Sequence, residues 1–186
     1  MVALALMAMV VVGSTAFGLS LRHDITYFFS SAPITDLGEV TDVEPADLRT
    51  NVHVRVAGTP MLSRSVRYRR VLSGAHGVVF PLAGQRTIYV HADDSSDALA
   101  RSEFTGRLVT FNDLGGRIDT VESYLQQDLE LPVSGESFLL LADEAPGADV
   151  WPLLLALLCA LFVLLDVWLF FRWFRPARPG PATPDV

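Results

Sequence analysis

The chain has 186 residues, is 51% hydrophobic, and sets 21 acidic residues against 14 basic ones, all arginine, for a formal charge of −7 at neutral pH. That balance argues against a nucleic-acid-binding surface, because neutralising phosphates requires a basic face. A single cysteine, Cys159, excludes an intrachain disulfide and any multi-cysteine metal cluster.

Residues 1–19 form an apolar run broken only by Ser14 and Thr15, about as long as the short end of the membrane-crossing range. A cleaved signal peptide carries a basic segment before its apolar run and a small-x-small site after it. This chain has no such basic segment. The expectation is therefore a retained anchor, a transmembrane helix over residues 1–20. Gly13, Ser14, Ala16 and Gly18 are small enough to admit a neighbouring helix.

Residues 21–149 leave room for one domain. They hold 19 of the acidic residues and 11 of the arginines, a formal charge of −8. The first stretch, LRHDITYFFSSAPITDLGEV, reads as extended chain interrupted by Pro33 and Gly38. TNVHVRVAGTP then alternates strictly, with Val52, Val54 and Val56 on one side and His53 and Arg55 on the other. SRSVRYRRVL, GVVFPLAG, RTIYVHAD and TGRLVTF are four more strands, separated by Gly74/Gly77 and Ala83/Gly84. IDTVESYLQQDLE is a helix with Asp119 at the N-cap, Glu122 completing a capping box, and Val121, Tyr124, Leu125 and Leu129 on one face. ESFLLLAD adds a final strand. Short strands with glycine-containing turns predict a small antiparallel barrel or sandwich.

The second apolar run, residues 150–171, is long enough to cross about 30 Å of hydrocarbon as a helix. Trp151, Trp168 and Trp173 suit the headgroup zones, and Arg172, Arg175 and Arg178 mark the cytoplasmic side. With a second transmembrane helix at 150–173 and a disordered cytoplasmic tail at 174–186, both termini are cytoplasmic. The central domain is then exoplasmic, periplasmic if the source is Gram-negative, and the membrane is the inner one. Asp166 lies inside this run, where an ionised side chain costs about 2.5–3.5 kcal/mol near the bilayer centre. It stands six residues before Arg172, about 9 Å of helix rise. It either reaches the cytoplasmic interface or pairs with a group on another subunit.

Other candidate sites are sparse. Arg64, Arg67, Arg69 and Arg70 concentrate positive charge in an acidic domain; they are either a docking patch for an acidic partner or lipid headgroups, or a solvated strand face that discourages edge pairing. His53 and His91 face away from the valines and are the candidates for binding a metal or haem. HADDSSD groups Asp93, Asp94 and Asp97 without the spacing of a calcium loop, and reads as a solvated turn. Glu103, Asp113 and Asp119 are the carboxylates an unrecognised enzyme would have to converge. No nucleophile elbow, phosphate loop, His-Glu-x-x-His pair or CxxC occurs.

The order of segments, an anchor, then LRHDITYFFSSAPI, then VHVRVAGTPMLSRSVRYRR, then EFTGRLVTF, resembles the CcmE-type haem chaperones of cytochrome c maturation. The matching pieces are Tyr27, Phe28, Phe29 and Pro33, then residues 54–58, then Ser65 and Val66, within residues 21–111. The resemblance implies an OB-like barrel, so the expected fold is mainly β, an OB-like antiparallel barrel with one amphipathic helix between two transmembrane helices. That family attaches haem through a histidine in a His-Asp-x-x-x-Tyr segment. The corresponding NDLGGRIDTVESYLQQ has no histidine, and that family has no second membrane helix. The expected function is a non-enzymatic accessory or assembly subunit of a membrane complex, respiratory or cytochrome-related. Haem or metal carriage and an enzyme without a recognisable motif are the alternatives.

Overall fold

In the computed structural model of the protein, residues 2–69, 74–85, 87–114 and 118–173 are described. Arg70 and the tail at 174–186 lie outside them. The chain divides into two units, Met1–Thr26 with the segment from Val150 onward, and Tyr27–Asp149.

In the first unit, helix α1 (Val2–Ser20) packs with α6 (Trp151–Trp173). Half-buried residues of each helix form a stripe spaced three and four apart: Met7, Val11, Ser14 and Gly18 on α1, and Pro152, Ala156, Cys159, Val163 and Asp166 on α6. At Gly18 the missing side chain lets α6 approach; a Cβ there would lie 3.8 Å from that of Cys159. Among the described residues only α6 is by itself long and apolar enough to cross a membrane, with 23 residues and a mean hydropathy of 2.8. The expected pair of flanking transmembrane helices is corrected accordingly. The 19 residues of α1 rise about 28 Å, just short of a hydrocarbon core. The segment meets the criterion only if joined to α2 (Arg22–Phe28) across a 45° bend, and α2 opens on Arg22, His23 and Asp24.

The second unit is built on one seven-stranded sheet. Its strands are β1 (Thr35–Glu39), β2 (Val52–Ala57), β3 (Val66–Arg69), β4 (His76–Pro81), β5 (Ile88–Asp93), β6 (Glu103–Thr110) and β7 (Phe138–Ala142), in the order β1-β2-β6-β7-β5-β4-β3. Two single-turn helices, α3 (Ser96–Leu99) and α4 (Phe111–Leu114), follow β5 and β6. β1 runs parallel to β2 and β7 parallel to β5, while the other pairs are antiparallel. The sheet is mixed and open, which corrects the expected OB-like antiparallel barrel. Two placements cause this. β7, last in the chain, slots between β6 and β5 rather than closing an edge, and the TDLGE segment adds β1 as an outer strand.

The sheet is buried on both faces, so its central strands read as nearly continuous apolar runs. On one face Val54, Phe80, Val90, Phe104, Leu108 and Leu140 pack under Val40, Val43, Leu48 and Leu82. On the other, Val79, Tyr89, Val109 and Leu139 pack under Ile118, Val121, Leu125, Leu131 and Val133. Most of that second cover comes from α5 (Asp119–Gln127) and its flanks. The helix starts one residue earlier than expected, with Ile118 rather than Asp119 at its N-cap and no side-chain capping bond. Ile118, Val121 and Leu125 form the docked face, whereas Tyr124 is exposed.

Candidate functional site

Asp166 lies on the half-buried stripe of α6, and among the described residues its carboxylate has no hydrogen bond or ion pair. The helix around it is apolar, and no residue of α6 is buried. Toward the end of the same helix, the Arg172 guanidinium lies over the Trp168 ring at 5.3 Å from its centroid.

The arginine set is divided by the fold. Arg67 and Arg69 lie on β3, an outer strand, and point away from buried Val66. Arg67 is tied to Asp94 at 3.4 Å. Arg69, and Arg64 on the short 3-10 turn Leu62–Arg64, are exposed and have no ion pair among the described residues. A cationic outer strand is also what discourages edge-to-edge pairing of sheets.

The two histidines end one cross-strand row, in which His53 is opposite Arg107, Arg107 opposite Leu141 and Leu141 opposite His91. Three strand spacings separate them, roughly 14 Å. One metal or haem iron is too small to take both as ligands. Each has a local role. His91 is buried, and its Nε2 is 2.6 Å from the Tyr68 hydroxyl. Gly77 makes room for this pair, since a Cβ there would come within 2.9 Å of Tyr68 Cζ and 3.1 Å of His91 Nε2. His53 meets the Tyr27 ring edge-on at 6.4 Å, and desolvation there lowers its pKa.

Between the histidines lies a cluster that sequence reading does not reveal. Arg107 is only 6% exposed. Its Nε donates to Asn51 Oδ1 at 2.9 Å, a terminal nitrogen donates to Glu144 Oε1 at 3.2 Å, and its guanidinium covers the Tyr27 ring at 4.6 Å. Tyr27 in turn donates its hydroxyl proton to the Glu144 carbonyl at 2.7 Å. Burial and the Glu144 carboxylate push the Tyr27 phenol above its ordinary pKa, opposed by Arg107. Asn51 adopts a left-handed backbone, φ 63°, which asparagine tolerates better than most residues. The one signal in the sequence is an arginine in the middle of the strand segment EFTGRLVT, directly before Leu108 and Val109.

The remaining carboxylates do not converge. Glu103 pairs with Arg55 at 3.0 Å. Asp113 forms a capping box with Thr110, its amide donating to the threonine hydroxyl at 3.2 Å and its carboxylate accepting from the Thr110 amide at 3.3 Å; Thr50 also donates to it. Glu103 and Thr110 stand at opposite ends of the eight-residue β6, about 23 Å apart. The side chain of Asp119 lies outside what is described. Among the described residues no group of three His, Cys, Asp or Glu could hold a metal ion, and Asp94 is engaged by Arg67. Comparison with known proteins finds no family model that matches the chain and no curated protein that matches it in sequence.

Proposed function

We propose that the protein is a membrane-anchored, non-enzymatic accessory or assembly subunit of a membrane complex, held in the bilayer by α6 and paired with its partner through Asp166. One observation carries this reading: Asp166 is a carboxylate in an apolar helix with no hydrogen bond or ion pair among the described residues. Such a group is costly in hydrocarbon and is relieved by a donor or cation on a neighbouring helix. Arg172 and its Trp168 contact fit the cytoplasmic interface of an inner membrane. The chain ahead of α6 then emerges on the exoplasmic side, where Arg64 and Arg69 offer cationic contacts to an acidic partner.

The test is purification of the full-length protein in mild detergent, with the amount of each co-purifying membrane protein measured per mole of bait. Asp166→Leu is expected to reduce its partner at least about tenfold, the equivalent of 1.4 kcal/mol, and Asp166→Asn to reduce it less. An unchanged ratio in Asp166→Leu would overturn the pairing.

A further inference from the structure

We infer that residues 28–34, where the chain enters the β unit, form a lipid-binding surface that seats this unit on the exoplasmic interface of the bilayer. The inference rests on α6 crossing the membrane as proposed above. Among the described residues, Phe29 at 67% is the most exposed large apolar side chain outside α1 and α6, and Ile34 on the same loop is 43% exposed. Phe28 meets the Phe29 ring edge-on at 5.1 Å. Between Asp24 and Asp36 no residue is charged, in a domain otherwise rich in acids. Single exposed apolar residues are ordinary on a protein surface; several on one short uncharged loop mark a contact.

The fold fixes where this loop lies. The Tyr27 hydroxyl, one residue ahead of it, donates to the Glu144 carbonyl at 2.7 Å, and Arg107 holds both residues, through the Tyr27 ring and the Glu144 carboxylate. The Phe28 carbonyl oxygen lies 3.9 Å from where a Cβ on Gly147 would be. The start of the loop is therefore held against the chain that leads into α6.

That position selects lipid as the occupant. The 23 residues of α6 rise about 34 Å, slightly more than the ~30 Å of hydrocarbon. With Arg172 at the cytoplasmic interface, Trp151 falls in the opposite headgroup zone. Val150 follows Gly147 by three residues, at most about 11 Å of chain. Phe28 and Phe29 thus start within that reach of the headgroups. Phenylalanine and other apolar side chains of interfacial segments settle about 5–10 Å into the headgroup–acyl boundary, and the absence of charge over residues 25–35 removes the cost of approaching it.

The experiment uses the full chain with Cys159→Ala, reconstituted alone in phosphatidylcholine nanodiscs, with a fluorophore on one introduced cysteine. Ser31→Cys places it in the exposed loop. Glu136→Cys places it ahead of β7, whose five residues run toward Glu144, about 17 Å of strand away. A phospholipid spin-labelled near its headgroup is expected to quench the first at least about twofold more than the second, as insertion by about 5–10 Å requires. Adding Phe29→Ser and Ile34→Ser to Ser31→Cys should return its quenching to the Glu136→Cys level. Both of these side chains are exposed, and an unchanged urea midpoint will establish that the variant folds. Equal quenching at the two positions, or quenching at Ser31→Cys that the serine pair leaves unchanged, overturns the proposal. So does a probe that stays in water in nanodiscs yet is shielded in native membranes, which would assign the loop to a protein partner. Alkaline carbonate extraction separates this failure from failure of the anchor: a spanning α6 keeps the protein in the membrane pellet whatever the loop does, and release of the protein would overturn the anchoring and this proposal with it.

Discussion

Arg107 stands in the middle of β6, where a charge costs free energy unless its hydrogen bonds and its counter-ion are supplied. Asn51, Glu144 and the face of Tyr27 supply them. None of these partners is near it in sequence: Glu144 is 37 positions away, and the Tyr27–Glu144 bond spans 117. The arginine was legible as an oddity, but its function as a fastening was not, because alternation reports which face a residue is on and not what arrives over that face. Tyr27→Phe tests the fastening. At neutral pH it should cost about 1 kcal/mol, the typical net worth of one hydrogen bond. The alkaline limb distinguishes it further. Tyr27 holds its proton more tightly folded than unfolded, so its contribution is fully present below about pH 10, the ordinary phenol value, and is lost as pH rises through the folded value. Denaturation midpoints of the full-length protein should therefore fall less steeply above that pH in Tyr27→Phe than in the parent. Tyr89, whose pKa burial pushes up to about 12, keeps part of the slope in both.

The elements differ in how far they announce themselves. β2 is visible because its valines alternate with His53 and Arg55, and β4, β5 and β7 because each is a short apolar run. β1 is not visible. Its TDLGE sequence contains residues depleted in strands, its pairing slips register between Asp36 and Glu39, and Gly38 takes φ 70°. It becomes a strand because β2 offers it an unpaired edge. The parallel pairing of β7 with β5 is equally hidden, since no local pattern separates a strand that closes a barrel from one that fills the centre of an open sheet. A single glycine enables that filling. At Gly106 a Cβ would overlap the Leu141 carbonyl oxygen and lie 3.0 Å from Ala142 Cα, both backbone atoms of β7. Backbone in a central strand has little freedom to move aside. Gly106→Ala should cost at least about 3 kcal/mol, the upper range of overpacking. Gly77→Ala, which meets the movable Tyr68 and His91 side chains, should cost less, about 1–2 kcal/mol. Urea midpoints of the two variants, measured side by side, check this ordering; equal losses would mean that β6 and β7 are not held as closely as their register implies.

At the level of the whole chain, a folded β unit and an apolar helix make opposite demands on solvent. Both buried clusters of the β unit are formed by residues between 40 and 140, so its core does not draw on α6. α6, in contrast, exposes Leu157, Leu164 and Phe171 at 67% each, a surface that water does not tolerate and a bilayer does. In the proposed reading the helix sets the location, and the flanking charge sets the direction. Arg172 closes α6, with Arg175 and Arg178 following in sequence, whereas the segment ahead of it contains Glu144 and Asp149. Positively charged flanks tend to remain cytoplasmic, so the proposed anchoring predicts the β unit on the opposite side. Two single-cysteine proteins measure this, each with Cys159 changed to alanine. Ser63→Cys sits on an exposed turn of the β unit, and Ala182→Cys lies beyond the helix in sequence. In spheroplasts with an intact inner membrane, a membrane-impermeant maleimide should label the first and spare the second until the membrane is opened. Labelling of Ala182→Cys alone would reverse the orientation and place Arg64 and Arg69 among cytoplasmic partners. Labelling of neither before permeabilisation would place both ends of α6 on one side and remove the bilayer argument for Asp166 altogether.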